Sequence, residues 1–413
     1  MKHLMAAAML TASSVAFAAE PASDDMRALI EAQQQQIELL QQQLDATRQS
    51  LQQLSAQVEK NAAASEEANE KAEILADTMD SEPADSRSRT TIGGYGELHA
   101  NMLENQLNGS EKNELDFHRF VLFFGHEFND RLRFNSELEL EHAVSGGDEP
   151  GEVELEQAYV EYDWADRHSL RAGIFLLPVG ILNETHEPPT FYGVERNPVE
   201  KNIIPTTWWE GGLQFVGGFG DAWRYDAAAH SGLYTTVDDN YAIRAGRQKV
   251  AKARFDSQAS TGRLRWLGIP GLESSASVQY QQDITQDTDP FAGSAMLYTG
   301  HVAWQHEAFG LRALYANWDL DGPGPEAIGA DRQNGWYVEP SWRFNDNWGV
   351  FARYNSWDNQ AGDSADSEYT QWDVGVNYWL HPNVVFKLDY QDQDAPAGKS
   401  EYDGWNLGVG YQF

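Results

Sequence analysis

The stretch RLRFNSELELE, residues 131–141, decides how this chain is read. Leu132, Phe134, Leu138 and Leu140 fall on one side of an extended strand, and Arg131, Arg133, Asn135, Glu137, Glu139 and Glu141 on the other, because successive side chains of a strand point to opposite faces. One face suits lipid and the other water. The same period returns where Trp372, Val374, Val376 and Tyr378 oppose Asp373, Gly375 and Asn377. It returns again at the C-terminus, where Trp405, Leu407, Val409, Tyr411 and Phe413 oppose Asn406, Gly408, Gly410 and Gln412.

Alternation also fits a soluble sandwich, so connection lengths have to separate the two. Short links at 129–130, 165–166, 220–221, 268–271, 309–310, 345–346 and 381–383 interleave with long polar ones at 105–115, 143–152, 178–208, 234–261, 284–293, 319–334, 358–368 and 392–401. Tight turns at one end and extended loops at the other predict an all-β, transmembrane antiparallel β-barrel over residues 92–413, with an even strand number near sixteen. Trp164, Trp208, Trp209, Trp318, Trp357 and Trp379 fall near strand ends, as interfacial girdles require. Two stretches fit less well. Pro340 interrupts the strand read over 335–344, and a closed barrel has no edge to excuse a missing donor, so a bulge is expected there. Phe117, Phe120, Val121, Leu122, Phe123 and Phe124 are apolar on both faces, which predicts packing against a loop folded into the lumen.

The rest of the 413 residues agrees with export to an envelope. Lys2 and His3, an apolar run to Val15 and the small-residue pattern Ala16-Phe17-Ala18 read as a signal peptide over 1–18. Beyond it no run of roughly eighteen apolar residues occurs, so any membrane crossing has to be by strands. Over 24–80 Ile30, Ile37, Leu44, Leu51 and Val58 recur every seven residues, with a second line of Leu40 and Leu54 interrupted by Gln33, Thr47 and Asn61. This predicts an α-helical coiled coil, placed in the periplasm and reaching roughly 80 Å if fully helical. Residues 81–91, with Pro83, read as a linker. There is no cysteine, which removes disulfides, zinc–thiolate centres and thiol nucleophiles. A net charge of -35 argues against nucleic acid as a partner.

The third long link, 178–208, carries Phe191, Tyr192, Ile203, Ile204 and five prolines, a composition for order rather than disorder. Its third place in the order of connections is that of the loop that folds into the barrel in many porins, and by that analogy it is expected to fold inward and narrow the pore. Alternation aims Arg131, Arg133, Arg171, Arg263 and Arg265 at the lumen, with Glu137 and Glu139 on the first strand quoted, while Arg196 and Lys201 lie in the third link. These are the pore-lining candidates, and opposed rows of such charges would set a transverse field across a constriction. Arg244, Arg247, Lys249, Lys252 and Arg254 form a separate basic segment, suited to anionic solutes or lipopolysaccharide phosphates at the mouth.

The chain resembles the phosphate-selective porin family of Gram-negative outer membranes. The resemblance rests on IGGYGELH (92–99), LRAGIFLLPVG (170–180), IPTTWWEGG (204–212) and the terminal GVGYQF, and covers roughly 92–413. It implies a homotrimer of sixteen-stranded barrels in the outer membrane, passive diffusion of small hydrophilic solutes, and anion preference of the phosphate-like kind. A structural barrel tethering the envelope through its coiled coil is the alternative. Glu184, His186 and Glu187 lack a second histidine nearby, so no metal is expected. Neither GxSxG, HExxH nor a phosphate-cradling loop occurs, and neither enzymatic activity nor a cofactor is expected.

Overall fold

The structure, a computed structural model, describes residues 89–413 apart from Asp148. The signal peptide, the coiled coil and most of the linker lie outside the described residues. Sixteen strands follow in order: β1 (Arg89–Asn105), β2 (Glu111–Asn129), β3 (Leu132–Glu141), β4 (Val153–Ala165), β5 (His168–Leu176), β6 (Trp209–Phe219), β7 (Trp223–His230), β8 (Ala259–Ile269), β9 (Leu272–Gln281), β10 (Ala295–His306), β11 (Phe309–Leu320), β12 (Arg332–Arg343), β13 (Trp348–Asp358), β14 (Tyr369–His381), β15 (Val384–Asp394) and β16 (Tyr402–Gln412). Each pairs antiparallel with its neighbours in sequence, and β1 closes on β16 from Tyr95↔Gln412 to Asn105↔Tyr402. Closure leaves no edge, so every ladder is satisfied within the protein, as a low-dielectric surround requires.

The two faces separate as the alternation requires. Val374 and Trp405 are half exposed on the outer wall, while Glu139 at 1 % and Gln279 at 0 % are enclosed by the barrel. The outward residues form the apolar band that lipid would cover. Short turns gather at one end and long loops at the other. In the short turns Arg167, Gly220, Gly271 and Glu307 take positive φ. At Gly271 a Cβ would lie 2.1 Å from the Gln305 carbonyl oxygen, so glycine is required by space as well as by conformation.

Four expectations need correction, one of them the aromatic girdle: of its six tryptophans only Trp164 is exposed, while Trp208, Trp209, Trp318, Trp357 and Trp379 are buried. The first long link is only residues 106–110, because Lys112, Asn113 and Glu114 pair with Leu103, Met102 and Asn101. This hairpin is polar on both sides near its tip and therefore reads as loop in sequence. Strand β1 begins at Arg89, ahead of Ile92. No bulge occurs at Pro340: β12 and β13 keep one register from Val338↔Tyr354 to Ser341↔Phe351. Pro340 lies opposite Leu311 on the other neighbour and is exposed on the outer wall.

A real bulge lies elsewhere, between β1 and β2 at Glu97/His99. It brings His118 and Arg119 to the inner wall together, although they are adjacent in sequence. Next to it, Val121 is fully buried and Tyr95 lies 5.8 Å from Phe123 and 5.8 Å, edge-on, from His186 of the third long loop. The inward loop thus meets Tyr95 of β1, and β2 packs against that ring through Phe123.

Candidate functional site

The third long loop, residues 177–208, folds into the lumen. Asn183 ties its two ends together: its Nδ2 donates to the carbonyls of Leu177 at 2.8 Å and Trp208 at 2.9 Å, and its Oδ1 accepts from Trp208 N at 2.7 Å. Val199, Ile203, Ile204 and Trp208 then pack against Tyr241 and Ile243 of the fourth loop and against Leu297, Leu314, Trp318 and Tyr337 of the wall. The inner faces of β10 and β11 are therefore apolar near the long-loop end, where a wet lumen would have favoured polar residues. The Trp318 indole N–H also donates to Ile203 O at 3.0 Å.

Polar anchors hold the loop to other walls. Glu200, fully buried, accepts from the backbone N–H groups of Ile181 and Leu182, from Asn197 and from the Tyr337 hydroxyl. Across the lumen, Lys387 Nζ donates to Gly193 O at 2.8 Å and sits 3.6 Å from the Phe191 ring centroid, while Asp389 accepts from Val194 N at 2.6 Å. His186 reaches Glu137 at 3.3 Å and Glu156 at 3.7 Å. Burial pulls the His186 imidazole down, but the two carboxylates outweigh it and raise the group to about 10.

What the loop leaves open beside β1–β4 is a cavity of about 300 Å³. Glu97, Glu139, Glu141, Glu154 and Glu156 line its barrel side; Arg196 and Lys201 of the third loop and Arg244, Arg247 and Lys249 of the fourth, residues 231–258, face them. Most of the acidic row has a cationic partner, each shared between two carboxylates, while Glu141 has none among the described residues. Arg119 binds Glu97 at 2.7 Å and reaches Glu139 at 3.8 Å, Lys249 binds Glu152 at 2.6 Å and also contacts Glu154, and His186 serves Glu156. Of the basic row, Lys249 alone is paired. Arg196 bonds the Thr207 hydroxyl at 2.8 Å, Arg247 the Thr207 carbonyl at 2.6 Å, and Arg244 the Lys201 carbonyl at 3.0 Å. Among the described residues none of Arg196, Lys201, Arg244 and Arg247 makes an ion pair, and Arg196 Nε and Nη2 and Arg247 Nε are buried without a partner. Burial lowers all four groups, and crowding by the neighbouring arginines adds to this at Arg244, which falls to about 10.

Of the nine pore-lining candidates, Glu139, Arg196 and Lys201 meet at this cavity. Glu137 lies behind it, holding His186 and accepting from Gln157 at 2.6 Å. Arg133 and Arg171 share Glu161, the second at 2.5 Å, and Arg133 also binds Asp163 at 2.8 Å. Arg263 joins Asp226 at 2.8 Å to Glu184 of the third loop. Arg265 is half-buried on the same strand. Arg131 is different: it sits exposed in the β2–β3 turn, beyond the constriction, because the strand begins one residue later. Arg119, Glu97, Glu154, Glu156, Asn183 and Glu200 were missed. A lone arginine within the apolar run FHRFVLFF was the one available signal, since a charge there has to face the lumen. The basic segment divides: Arg244, Arg247 and Lys249 line the cavity, whereas Lys252 and Arg254 remain outside it.

A closed sixteen-stranded barrel with an apolar outer wall, short turns at one end and a long loop folded into a charged lumen defines an outer-membrane porin, a channel for small hydrophilic solutes. The chain belongs to the phosphate-selective porin O and P family, whose model matches residues 93–404. It is 32% identical over 343 residues to an uncharacterised protein of Aquifex aeolicus, covering 74% of this chain and 76% of that one. Among solved structures it is similar to the outer-membrane channel DcaP of Acinetobacter baumannii, with TM-score 0.56, 15% identity and coverage of 79% of this chain and 97% of that one. It is also similar to an anion-selective porin of Comamonas acidovorans, with TM-score 0.56, 13% identity and coverage of 79% and 100%. A trimer form of OmpT of Vibrio cholerae gives TM-score 0.51 at 12% identity, covering 78% and 99%. At these identities the solved structures speak for the fold alone.

Proposed function

We propose that this porin prefers small anions, of which inorganic phosphate is the type, and selects them at the cavity between the third loop and β1–β4. The observation that carries the reading is the imbalance of pairing. Most carboxylates there have a cationic partner, with Arg119, Lys249 and His186 each shared between two carboxylates, whereas Arg196, Lys201, Arg244 and Arg247 are held by no carboxylate. In a narrow site with low-dielectric walls the uncompensated sign governs which ion enters. The net charge of -35 does not decide this, because most acidic groups lie outside the constriction. Arg133, Arg171, Arg263 and Arg265 extend a basic lining along the inner wall, each but Arg265 sharing a carboxylate. Catalysis has no part in this reading.

The same reading places three chains together in the membrane, with residues 24–80 as a periplasmic coiled coil and with lipid and lipopolysaccharide against the outer wall. The heptads of the N-terminal region and the trimer form of the Vibrio protein support that arrangement. The test is the reversal potential of single channels in a salt gradient. Wild type should favour the anion, and the triple change Arg196→Ala, Arg244→Ala and Arg247→Ala should move the potential toward the cation without loss of folded barrel. An unchanged potential in the triple variant would falsify selection at this cavity.

A further inference from the structure

At the long-loop end of the barrel, Asp116, His118 and His142 converge on one point of the inner wall. His118 Nδ1 lies 3.1 Å and His142 Nδ1 2.8 Å from the same carboxylate oxygen, Asp116 Oδ2. The two imidazole rings stand 5.7 Å apart at 80°, so their nitrogens approach the oxygen from different directions. All three residues are half-buried, and they line a second cavity of about 560 Å³ that opens beside the constriction. Nothing in the barrel ladder requires this meeting. It depends on the bulge at Glu97/His99, which turns His118 inward beside Arg119, and on the left-handed conformation of His142, φ 52°, just past the end of β3.

We propose that Asp116, His118 and His142 form a binding site for a divalent transition-metal cation, with Zn²⁺ as the reference ion. Two imidazoles and one carboxylate are a donor set of borderline softness that suits Zn²⁺, Co²⁺ and Ni²⁺ and is poor for Mg²⁺ or Ca²⁺, which take oxygen donors almost alone. Each nitrogen stands about 3 Å from the carboxylate oxygen and the three donor atoms lie within 4.8 Å of one another, close enough to gather about one tetrahedral ion at about 2 Å from each donor. The ion would take the place of the protons that join the imidazoles to the carboxylate. The neighbouring cavity leaves a fourth position open to water or to a solute in transit. A line of contacts then leads to the pore: the His118 ring stacks on His99 at 4.7 Å and 15°, and His99 Nδ1 lies 3.1 Å from Glu195 Oε1 of the third loop. A bound dication therefore adds positive charge at the mouth and bears on the loop that narrows it. The site stands on its own observations and does not need the anion preference to hold.

The experiment uses the untagged full chain, folded in detergent micelles, titrated with Co²⁺ as a visible-absorbing stand-in and then with Zn²⁺. The expected result is a ligand-field band that saturates at one Co²⁺ per chain and is removed by Zn²⁺. His118→Gln and His142→Gln should each weaken binding about tenfold or more, while His381→Gln, at the opposite end of the barrel, should leave it unchanged. Retained heat-modifiable mobility in each variant separates ligand loss from misfolding, and His142→Gln, outside any strand, is the variant least able to disturb the barrel. No saturable band, or a band insensitive to both changes, would overturn the site. A band abolished by His186→Gln but kept in the other two would overturn it as well, placing the ion at Glu137, Glu156 and His186 instead. In planar bilayers, micromolar Zn²⁺ on the long-loop side should alter wild-type current but not that of His118→Gln/His142→Gln. Binding without any change in current would keep the site and remove its influence on the pore.

Discussion

Glu200→Gln should release the third loop from the lumen while leaving the barrel closed. One Glu200 oxygen accepts from the N–H groups of Ile181 at 2.6 Å and Leu182 at 2.8 Å; the other accepts from Asn197 Nδ2 at 3.0 Å and the Tyr337 hydroxyl at 2.9 Å. An amide nitrogen at the first position would oppose two backbone donors that cannot turn. At the second, the Tyr337 hydroxyl can rotate to accept. Asn197 cannot flip without giving up Oδ1, which accepts the N–H of residue 200 at 2.8 Å. Even the better orientation leaves one buried donor unpaired and turns the remaining charge-assisted bonds into neutral ones. This costs about 2–4 kcal/mol, or roughly a 30- to 700-fold rise in the population of undocked loop. Arg196 in the same loop offers a tryptic site reached only on undocking. If opening and reclosing are fast relative to cleavage, the initial rate at Arg196, followed by mass spectrometry, should rise by the same factor. A rate within about threefold of wild type, with the barrel still heat-modifiable, would refute the assignment of Glu200 as the loop's anchor.

Two further outcomes follow from contacts at the loop and at the seam. The folded His186 value of about 10 exceeds the ordinary imidazole value of 6.5, so its pairing with Glu137 and Glu156 stabilises docking fully below 6.5 and is lost as pH rises through about 10. Wild-type single-channel current should grow noisier above that pH, whereas His186→Ala should be noisy throughout; a pH step surviving in His186→Ala would exclude the mechanism. At the seam, Phe413 N donates to Gly94 O at 2.9 Å and Phe413 O accepts from Gly94 N at 3.0 Å. Deleting Phe413 removes both bonds, about 2 kcal/mol of closure, and should lower the yield of heat-modifiable barrel. A normal yield would show that β1–β16 pairing does not depend on the last residue.

Legibility in the sequence follows the direction of each constraint. The lipid face is a local rule, apolar at every second residue, so the strands around Leu138, Val374 and Leu407 could be read without knowing their neighbours. The exceptions lie where lipid is not the surround. The tip of the β1–β2 hairpin is polar on both faces because it stands in water. On β11, Leu314, Tyr315 and Ala316 are apolar on both faces because Leu314 and Ala316 meet the third loop inside the barrel. Inward folding of that loop was readable from its length, aromatic content and third position only together with the analogy to other porins. Which charges it would meet was not, because Arg119, Glu97 and Arg196 lie on segments far apart in sequence and are gathered only by closure and by a bulge that no pattern announces. Proline at 340 misled for a similar reason. The ladder to β13 tolerates the interruption without an inserted residue, and the register is held by the pairs on either side.

This division also explains how the lumen carries so much buried charge. The barrel is held by continuous backbone ladders and by an apolar wall facing lipid, and neither depends on which side chains fill the inside. Wall charges can therefore be arranged in paired groups, such as Arg353 with Glu339 and Asp373 at 3.1 and 3.0 Å. In those pairs each desolvated charge meets a partner, which offsets part of its desolvation. Arg196, Arg244 and Arg247 lack such partners, and their desolvation cannot be recovered within the protein. They sit on loops, where the Thr207 hydroxyl accepts from Arg196 and third-loop carbonyls accept from Arg244 and Arg247, and all three side chains line the cavity. The uncompensated part of their interaction is available to a solute. Arg265 is the one arginine among those named on the inner wall that is left without a carboxylate, so the gathering of three unpaired arginines on the third and fourth loops, against paired ones such as Arg353 on the wall, is the internal argument that these loops take a leading part in what passes.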